Sequence, residues 1–582
     1  MAKALARLGW LIVGLYALVL VPVVVCRAVN PFFNDLAWLA VVPLVAAVIG
    51  RARRGFAAFA GLVGVVWAAT GLHPTGKVAT KTFVMGVDGG TFELIDAQAA
   101  TLPNFVALRA DGTRAVLTSM EPMFSPLLWT TIASGRPPDE SGIKGFRVHS
   151  DDCKVARFWD VAEDRGEAVG LYKWLVDYPP RAFKHGGFWV PSWLAPDVET
   201  WPAELSVVKE LELSKRLRRK QKQATHGTVE LTWLLIKAGM RFSTLVDAVS
   251  WSAEERFLRP GPAEANVRMQ VLRGWIDRDV FINQLYRTRP GLATFNYYAT
   301  DGLAHLYWEQ YLAGGTEVLT AYRQADAILG DIRAALSPEA RFFLVSDHGF
   351  KPMDATGQAG QFAPLTERLR ARLMAEVGEV DVSKVGHKMT VGFKDAEQLA
   401  KGSAWISTLL DRKGQPFYKL DVVPDMATGL ALTLVDEQIT NDRLQNDTVG
   451  GEPITQYVKL TDSYTGTHKE NGIFYAAGPG VTAGAELPAM SILDIAPTVL
   501  TAMGAAPSVE MKGKTVIFPE PTRVADLDGL LEGIQWIGIE NTTAGDVNTD
   551  ALKALGYIDD AAAPAPEAPG PPPAPSPSPP AP

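Results

Sequence analysis

Thr82-Phe83-Val84-Met85-Gly86-Val87-Asp88-Gly89-Gly90 reads as a short, continuously apolar strand that stops on an aspartate and two glycines. Two more runs follow the same plan. Ala293-Thr294-Phe295-Asn296-Tyr297-Tyr298 leads into Ala299-Thr300-Asp301-Gly302-Leu303-Ala304-His305, and Arg341-Phe342-Phe343-Leu344-Val345 leads into Ser346-Asp347-His348-Gly349. A fourth run, Gly472-Ile473-Phe474-Tyr475-Ala476, comes just after Thr465-Gly466-Thr467-His468. Helical patterns lie between such runs, as from Glu317 to Leu336. The alternation predicts an α/β fold with a mainly parallel sheet sandwiched by helices. In such sheets ligands gather beyond the carboxyl ends of the strands. Asp88, Asp301 and Asp347 all stand at or just after those ends.

The four segments supply three aspartates and three histidines. That is enough for two cations with three protein ligands each, the number at which catalytic zinc keeps a position open. Asp301 and His305 are four apart, so one helical turn puts both on one face. The adjacent pair Asp347-His348 needs an irregular backbone at the strand end, which Gly349 permits. Singly these signals are ordinary: Asp88-Gly89 also marks turns, and His468 alone reads as a surface histidine. Jointly they point to a two-metal hydrolase. Ser125-Pro126 opens a helical run to Ala133, with serine as the cap and proline first in the helix. Such an end offers free N–H groups to a phosphate, and a metal-coordinated serine hydroxyl is a strong nucleophile. Thr130 and Thr131 compete for that role, but within a helix their hydroxyls are expected to bond its backbone.

The chain has 582 residues, of which 21% are charged and 47% hydrophobic, a globular composition with extra apolar content. A net charge of -8 carries no nucleic-acid footprint. The apolar excess sits in three N-terminal runs, Leu8 to Val25, Leu36 to Gly50 and Phe56 to Leu72. The first and third are long enough to span a bilayer and the second is short. Lys3 and Arg7 precede the first, and Arg51, Arg53 and Arg54 separate the second from the third. Charge placement then predicts a cytoplasmic N-terminus, three transmembrane helices, and everything beyond Leu72 outside the cytoplasm, periplasmic in a Gram-negative cell. A cleaved signal peptide followed by a hydrophobic hairpin is the alternative. Cys26 lies in an apolar run, so no disulfide to Cys153 is expected, and Val23-Val24-Val25 is a poor lipidation context.

The expected organisation is a membrane anchor at 1–73, a linker at 74–81 and a catalytic domain at 82–518. Insertions fall at 201–260 and 360–461, the second forming a lobe beside the crevice. An extension occupies 519–560, and a disordered Pro/Ala-rich tail 561–582. The first insertion is helical and contains Lys215-Arg216-Leu217-Arg218-Arg219-Lys220, read as a solvated helical face. A cap over the site and a surface for anionic lipid are its alternatives.

Several stretches also carry a resemblance. They are Val87-Asp88-Gly89-Gly90-Thr91, Phe124-Ser125-Pro126-Leu127-Leu128-Trp129-Thr130-Thr131-Ile132-Ala133-Ser134-Gly135-Arg136-Pro137-Pro138-Asp139-Glu140-Ser141-Gly142-Ile143, Asp301 to His305, Val345 to Gly349, and Gly466 to Phe474. Together they resemble the type I phosphodiesterase/nucleotide pyrophosphatase family of the alkaline phosphatase superfamily, from Lys81 to Gly513. The resemblance implies an alkaline phosphatase-like fold, a phosphate-ester substrate and two divalent metal ions, zinc or else manganese. It implies one ion on Asp301, His305 and His468, and the other on Asp88, Asp347, His348 and the nucleophile. That nucleophile falls at Ser125, where many relatives carry threonine. The relatives' phosphate-contacting asparagine falls at Leu128, a departure that bears on substrate choice. A sulfatase pattern is excluded, because Pro126 follows Ser125 directly and the required arginine is missing. The implied activity is phosphodiesterase or nucleotide pyrophosphatase-type hydrolysis through a phosphoseryl intermediate. The alternatives are extracytoplasmic transfer of a phospho-substituent to a lipid or glycan, and a non-catalytic binding protein on the same fold. Retention of all six ligands argues against the last.

Overall fold

The apolar runs form the middle of one mixed sheet. Its main strands are β1 (Thr82–Val87), β2 (Gly112–Thr118), β3 (Val169–Tyr172), β4 (Gly187–Val190), β5 (Leu292–Tyr297), β6 (Arg341–Val345) and β7 (Asn471–Ala477). Across the sheet the order is β2-β7-β6-β1-β5-β3-β4, with the short strands Ala485–Glu486 and Met490–Ser491 along the outer edge of β2. Only β7 runs against its main-strand neighbours. The computed structural model describes residues 76–219, 226–353, 361–385, 388–435, 443, 446–461, 465–541, 546–554 and 557–558, with 26, 29 and 30. The three N-terminal runs and the Pro/Ala tail lie outside the described residues. Among the described residues, no helix is long and apolar enough to cross a membrane.

Helices cover both faces. Among them are α1 (Ser125–Ser134), α2 (Ser206–Arg219), α3 (Thr228–Ala238), α4 (Phe242–Phe257), α5 (Pro262–Thr288), α6 (Ala299–Leu312), α7 (Glu317–Ala335) and α8 (Ile495–Ala502). Successive side chains of β1 point to opposite faces. Phe83 and Met85 join a core with Phe281, Leu303 and Ile328 of α5, α6 and α7. Val84 joins a second core with Trp129, Ile132 and Val499 of α1 and α8. With both faces covered, β1 and β5 are buried at every residue, which is why they show no polar alternation.

Register brings the site's strands level. Gly86 lies opposite both Asn296 of β5 and Val345 of β6, so β1, β5 and β6 end at one height. Because β7 is reversed, it starts at that same edge. The strand Gly466–Lys469 feeds it and pairs antiparallel with Gly349–Pro352, His468 facing Phe350. The 360–461 insertion hangs between these paired strands. Among its described residues are a four-stranded antiparallel sheet (Asp381–Val385, Lys388–Gly392, Tyr418–Val422 and Gly429–Leu434), the helices Thr366–Val377 and Ala396–Ile406, and a core of its own around Leu369, Val391 and Leu432.

Two sequence expectations change. The basic stretch of α2 is not simply a solvated face, because Arg216 and Leu217 are buried. Arg216 donates to the Val547 carbonyl at 2.7 Å and to Asp546 at 3.0 Å. The residues after 518 are also more than an appended extension: Val547, Leu552, Tyr557 and Ile558 share the core of α1. Both cysteines are free.

Gly349 acts differently from the sequence expectation. A Cβ there would lie 2.0 Å from the Asn471 carbonyl oxygen, so glycine is required by the close approach of β7 and not by an unusual dihedral. Gly349→Ala should therefore push the hairpin off β7 and destabilise the fold by about 1–3 kcal/mol, an overpacking effect. Chemical unfolding would reveal this as a lowered midpoint, and an unchanged midpoint would refute it.

Candidate metal centre

The six aspartate and histidine side chains are all buried. Asp88 follows β1, where Gly89 turns the chain at φ +67°. The Thr300 hydroxyl, at the start of α6, donates to the Asp88 carbonyl at 2.6 Å and ties the two strand ends together. Asp301 and His305 share one face of α6, as their spacing predicted, and Asp347 and His348 follow β6.

Each histidine is oriented by a backbone carbonyl. Nδ1 lies 3.1 Å from the Gly466 oxygen in His305, 3.1 Å from the Gly349 oxygen in His348, and 2.8 Å from the Met123 oxygen in His468. A carbonyl only accepts, so the proton sits on Nδ1 and the Nε2 lone pair faces inward. Burial lowers the pKa values of His348, strongly, and His468, so both stay neutral.

Each aspartate has one oxygen held and one bare. Asp88 Oδ2 accepts from Trp129 Nε1 at 3.1 Å. Asp347 Oδ1 accepts from the backbone N–H of His348 at 3.1 Å and of Gly89 at 3.5 Å. Asp301 Oδ2 accepts from the Tyr557 hydroxyl at 3.3 Å. The remaining oxygens, Asp88 Oδ1, Asp301 Oδ1 and Asp347 Oδ2, are buried with no hydrogen-bond partner among the described residues. A buried acceptor left this way carries its full desolvation penalty.

These bare atoms converge in two groups, Asp301/His305/His468 and Asp88/Asp347/His348, with the ligand atoms of each within 4.8 Å of one another. In the first, the Nε2 atoms of His305 and His468 are 3.0 Å apart and lie 3.4 and 3.2 Å from Asp301 Oδ1. Lone pairs that close repel unless a positive charge lies between them. In the second, His348 Nε2 lies 3.5 Å from Asp88 Oδ1 and 3.4 Å from Asp347 Oδ2. The rings of His348 and His468 stack at 3.5 Å, so the groups share a wall. Burial, with the charges of Asp347 and Asp301, raises Asp88 well above the carboxylate range. Burial and the Asp301 charge push Asp347 up to about 8. Orphaned oxygens, inward lone pairs and mutually repelling carboxylates all fit two divalent cations.

Ser125 is the first residue of α1, one place further in than the expected cap, which is Phe124. Its Oγ lies 3.5 Å from His348 Nε2. Thr130 turns back onto the Pro126 carbonyl at 2.8 Å, as expected of a helix interior. Thr131 does not: its hydroxyl is buried without a partner among the described residues, and nothing in the structure explains it. Leu128 is wholly buried in the apolar core. Sequence reasoning missed Trp129 and Tyr557. Trp129 carried a signal, since it lies one helical turn after Ser125; Tyr557 carried none.

A sequence model of the family described as type I phosphodiesterase / nucleotide pyrophosphatase matches residues 82–427. The chain belongs to this family. It is a hydrolase of the alkaline phosphatase superfamily acting on phosphoester bonds. No match was found among curated proteins. The family match takes in Ser125 and five of the metal-type ligands; His468 and Tyr557 lie beyond it.

Without metal, folded Asp347 holds its proton to about 8, against about 4 in an unfolded chain. The folded state then binds more protons across that window, so stability falls as pH rises through it. Below about pH 6.5 the neutral His348 and His468 bind fewer protons folded than unfolded and oppose this trend, so chelator-stripped protein should melt at lower temperature chiefly from about pH 7 to about pH 8. Added divalent cation should restore more stability at the upper end. Parallel melting curves with and without metal would contradict this.

Proposed function

We propose that the chain is a membrane-anchored, extracytoplasmic two-metal hydrolase of phosphodiester or nucleotide pyrophosphate-type bonds, with Ser125 as nucleophile. The observation that carries this reading is the position of Ser125: its Oγ stands 3.5 Å from His348 Nε2, at the open end of a buried helix. Asp301, His305 and His468 would hold one cation, and Asp88, Asp347 and His348 the other beside Ser125. When bound, two such ions supply Lewis acidity and offset charge on the phosphoryl oxygens; zinc suits the donors, with manganese the alternative.

The chain's own groups do the rest. Ser125 Oγ gives up its proton to solvent and attacks phosphorus in line, the bond to the leaving oxygen breaks, that oxygen takes a proton from solvent, and a phosphoseryl ester forms. Water then attacks the same phosphorus and frees the serine. The start of α1 offers the positive end of its dipole rather than a row of free N–H groups, because Pro126 has none and those of Leu127 and Leu128 donate to the Phe124 carbonyl at 3.0 and 3.2 Å. The three buried histidines, oriented through Nδ1 by their carbonyl contacts, turn Nε2 toward the ions, and burial keeps His348 and His468 neutral.

Anchoring is supported by the three N-terminal apolar runs and by one contact next to the first of them. Asn30 donates to the Met240 carbonyl at 2.9 Å and accepts from Asn283 of α5 at 3.3 Å, which ties the residue just beyond that run to the folded domain. A chain lacking residues 1–73 should appear in the soluble fraction, and the full chain in membranes. Recovery of the full chain as soluble protein would refute the anchor.

Ser125→Ala should cut hydrolysis of bis(p-nitrophenyl) phosphate by about a thousandfold or more, as loss of a nucleophile does. Two bound ions per chain should remain. Normal turnover by the variant would remove Ser125 from this role, whereas product appearing on an added alcohol and not in water would favour transfer over hydrolysis.

A further inference from the structure

Each aspartate of the centre has its outer oxygen held by a donor. For Asp88 that donor is Trp129, on the helix that carries Ser125. For Asp347 it is local backbone. For Asp301 it is Tyr557, which lies 256 residues away in sequence, near the C-terminal end of the chain. We propose that Tyr557 is a positioning residue of the metal centre, delivered by the C-terminal segment to fix Asp301 as a one-oxygen ligand of the ion it would share with His305 and His468.

The delivery is built from several elements. Arg216 of α2 holds Asp546 and the Val547 carbonyl. His149 donates through Nε2 to the Asp546 carbonyl at 2.7 Å. Asn548 donates to the carbonyls of Trp193 and Leu194 at 2.9 and 2.8 Å. The Lys384 N–H, from the 360–461 lobe, donates to the Tyr557 carbonyl at 3.3 Å. The phenol ring packs against Phe146 at 4.3 Å and lies parallel to Trp193, 8° from its plane.

The consequence for Asp301 follows from its two oxygens. Oδ2 takes the phenol hydrogen, which leaves the bare Oδ1 aimed at His305 and His468. Without that donor the carboxylate is free to rotate about its Cβ–Cγ bond and to offer either oxygen. Loss of such an outer partner typically weakens metal binding about 10–100-fold. The phenol ring also lies edge-on to the ring of His305 at 5.7 Å, so it supports both helix-borne residues of that half of the centre.

The proposal rests on the two-metal reading, and its test separates the two. Metal-free full-length protein and its Tyr557→Phe variant are titrated with Zn2+ by calorimetry, and with Co2+ while visible absorption is followed. Wild type should bind two ions. Tyr557→Phe keeps the ring packing, so it should fold. It should bind one ion as wild type does and the other at least about tenfold more weakly, with an altered Co2+ band and a fall in kcat larger than any change in KM. Arg216→Ala, which touches no ligand, should shift the same site in the same direction by loosening the segment. Unchanged affinities and band in Tyr557→Phe would overturn the proposal alone. Faster turnover by that variant would also overturn it, marking the phenol as an obstruction. A wild-type chain that takes up fewer than two ions would overturn the two-metal reading itself.

Discussion

Three carboxylates buried within a few ångströms of one another form the constraint on which the rest of the structure depends. In a low-dielectric interior such groups repel strongly and lose their hydration. They stay in place because the scaffold beneath them is stiff. Three adjacent strands end level, and each aspartate, two just past strand ends and one in the first turn of α6, has one oxygen already engaged. The histidines obey the same rule, each fixed through Nδ1 by a carbonyl. The protein thereby keeps inward-facing only those atoms that a cation satisfies. Orientation and charge are solved by different parts of the same residues.

The two halves of the centre are assembled differently. Asp88, Asp347 and His348 come from the ends of neighbouring strands, so the sheet alone sets their separation. Asp301 and His305 sit on a helix, and His468 arrives on a separate strand hairpin. That half depends on packing between elements, and it is also the half whose aspartate leans on a residue from the far end of the chain. The stacked rings of His348 and His468 join the halves and transmit position from one to the other.

Much of this was legible in the sequence, for physical reasons. A strand buried on both faces must be continuously apolar, so β1, β5, β6 and β7 announced themselves, and the ligands stood at their ends. The i, i+4 spacing of Asp301 and His305 is a local geometric fact. What could not be read was long-range. Nothing near Arg216 says that its partner lies at 546–547, and nothing near Tyr557 says that its hydroxyl meets Asp301. A basic run and an aromatic residue beside a Pro/Ala tail have no period that encodes a distant partner. The function of Gly349 was half legible: the requirement for glycine was visible, but its cause was a neighbouring strand.

The pairing of Gly349–Pro352 with Gly466–Lys469 makes the lobe between them, topologically, a closed loop. The entropy of closing such a loop grows only slowly with its length. Change within the lobe therefore leaves the strand carrying His468 almost undisturbed. The fold thus lets the length of the lobe vary while the hairpin keeps its register, with Lys384, which holds the Tyr557 carbonyl, the point where the lobe reaches back toward the centre.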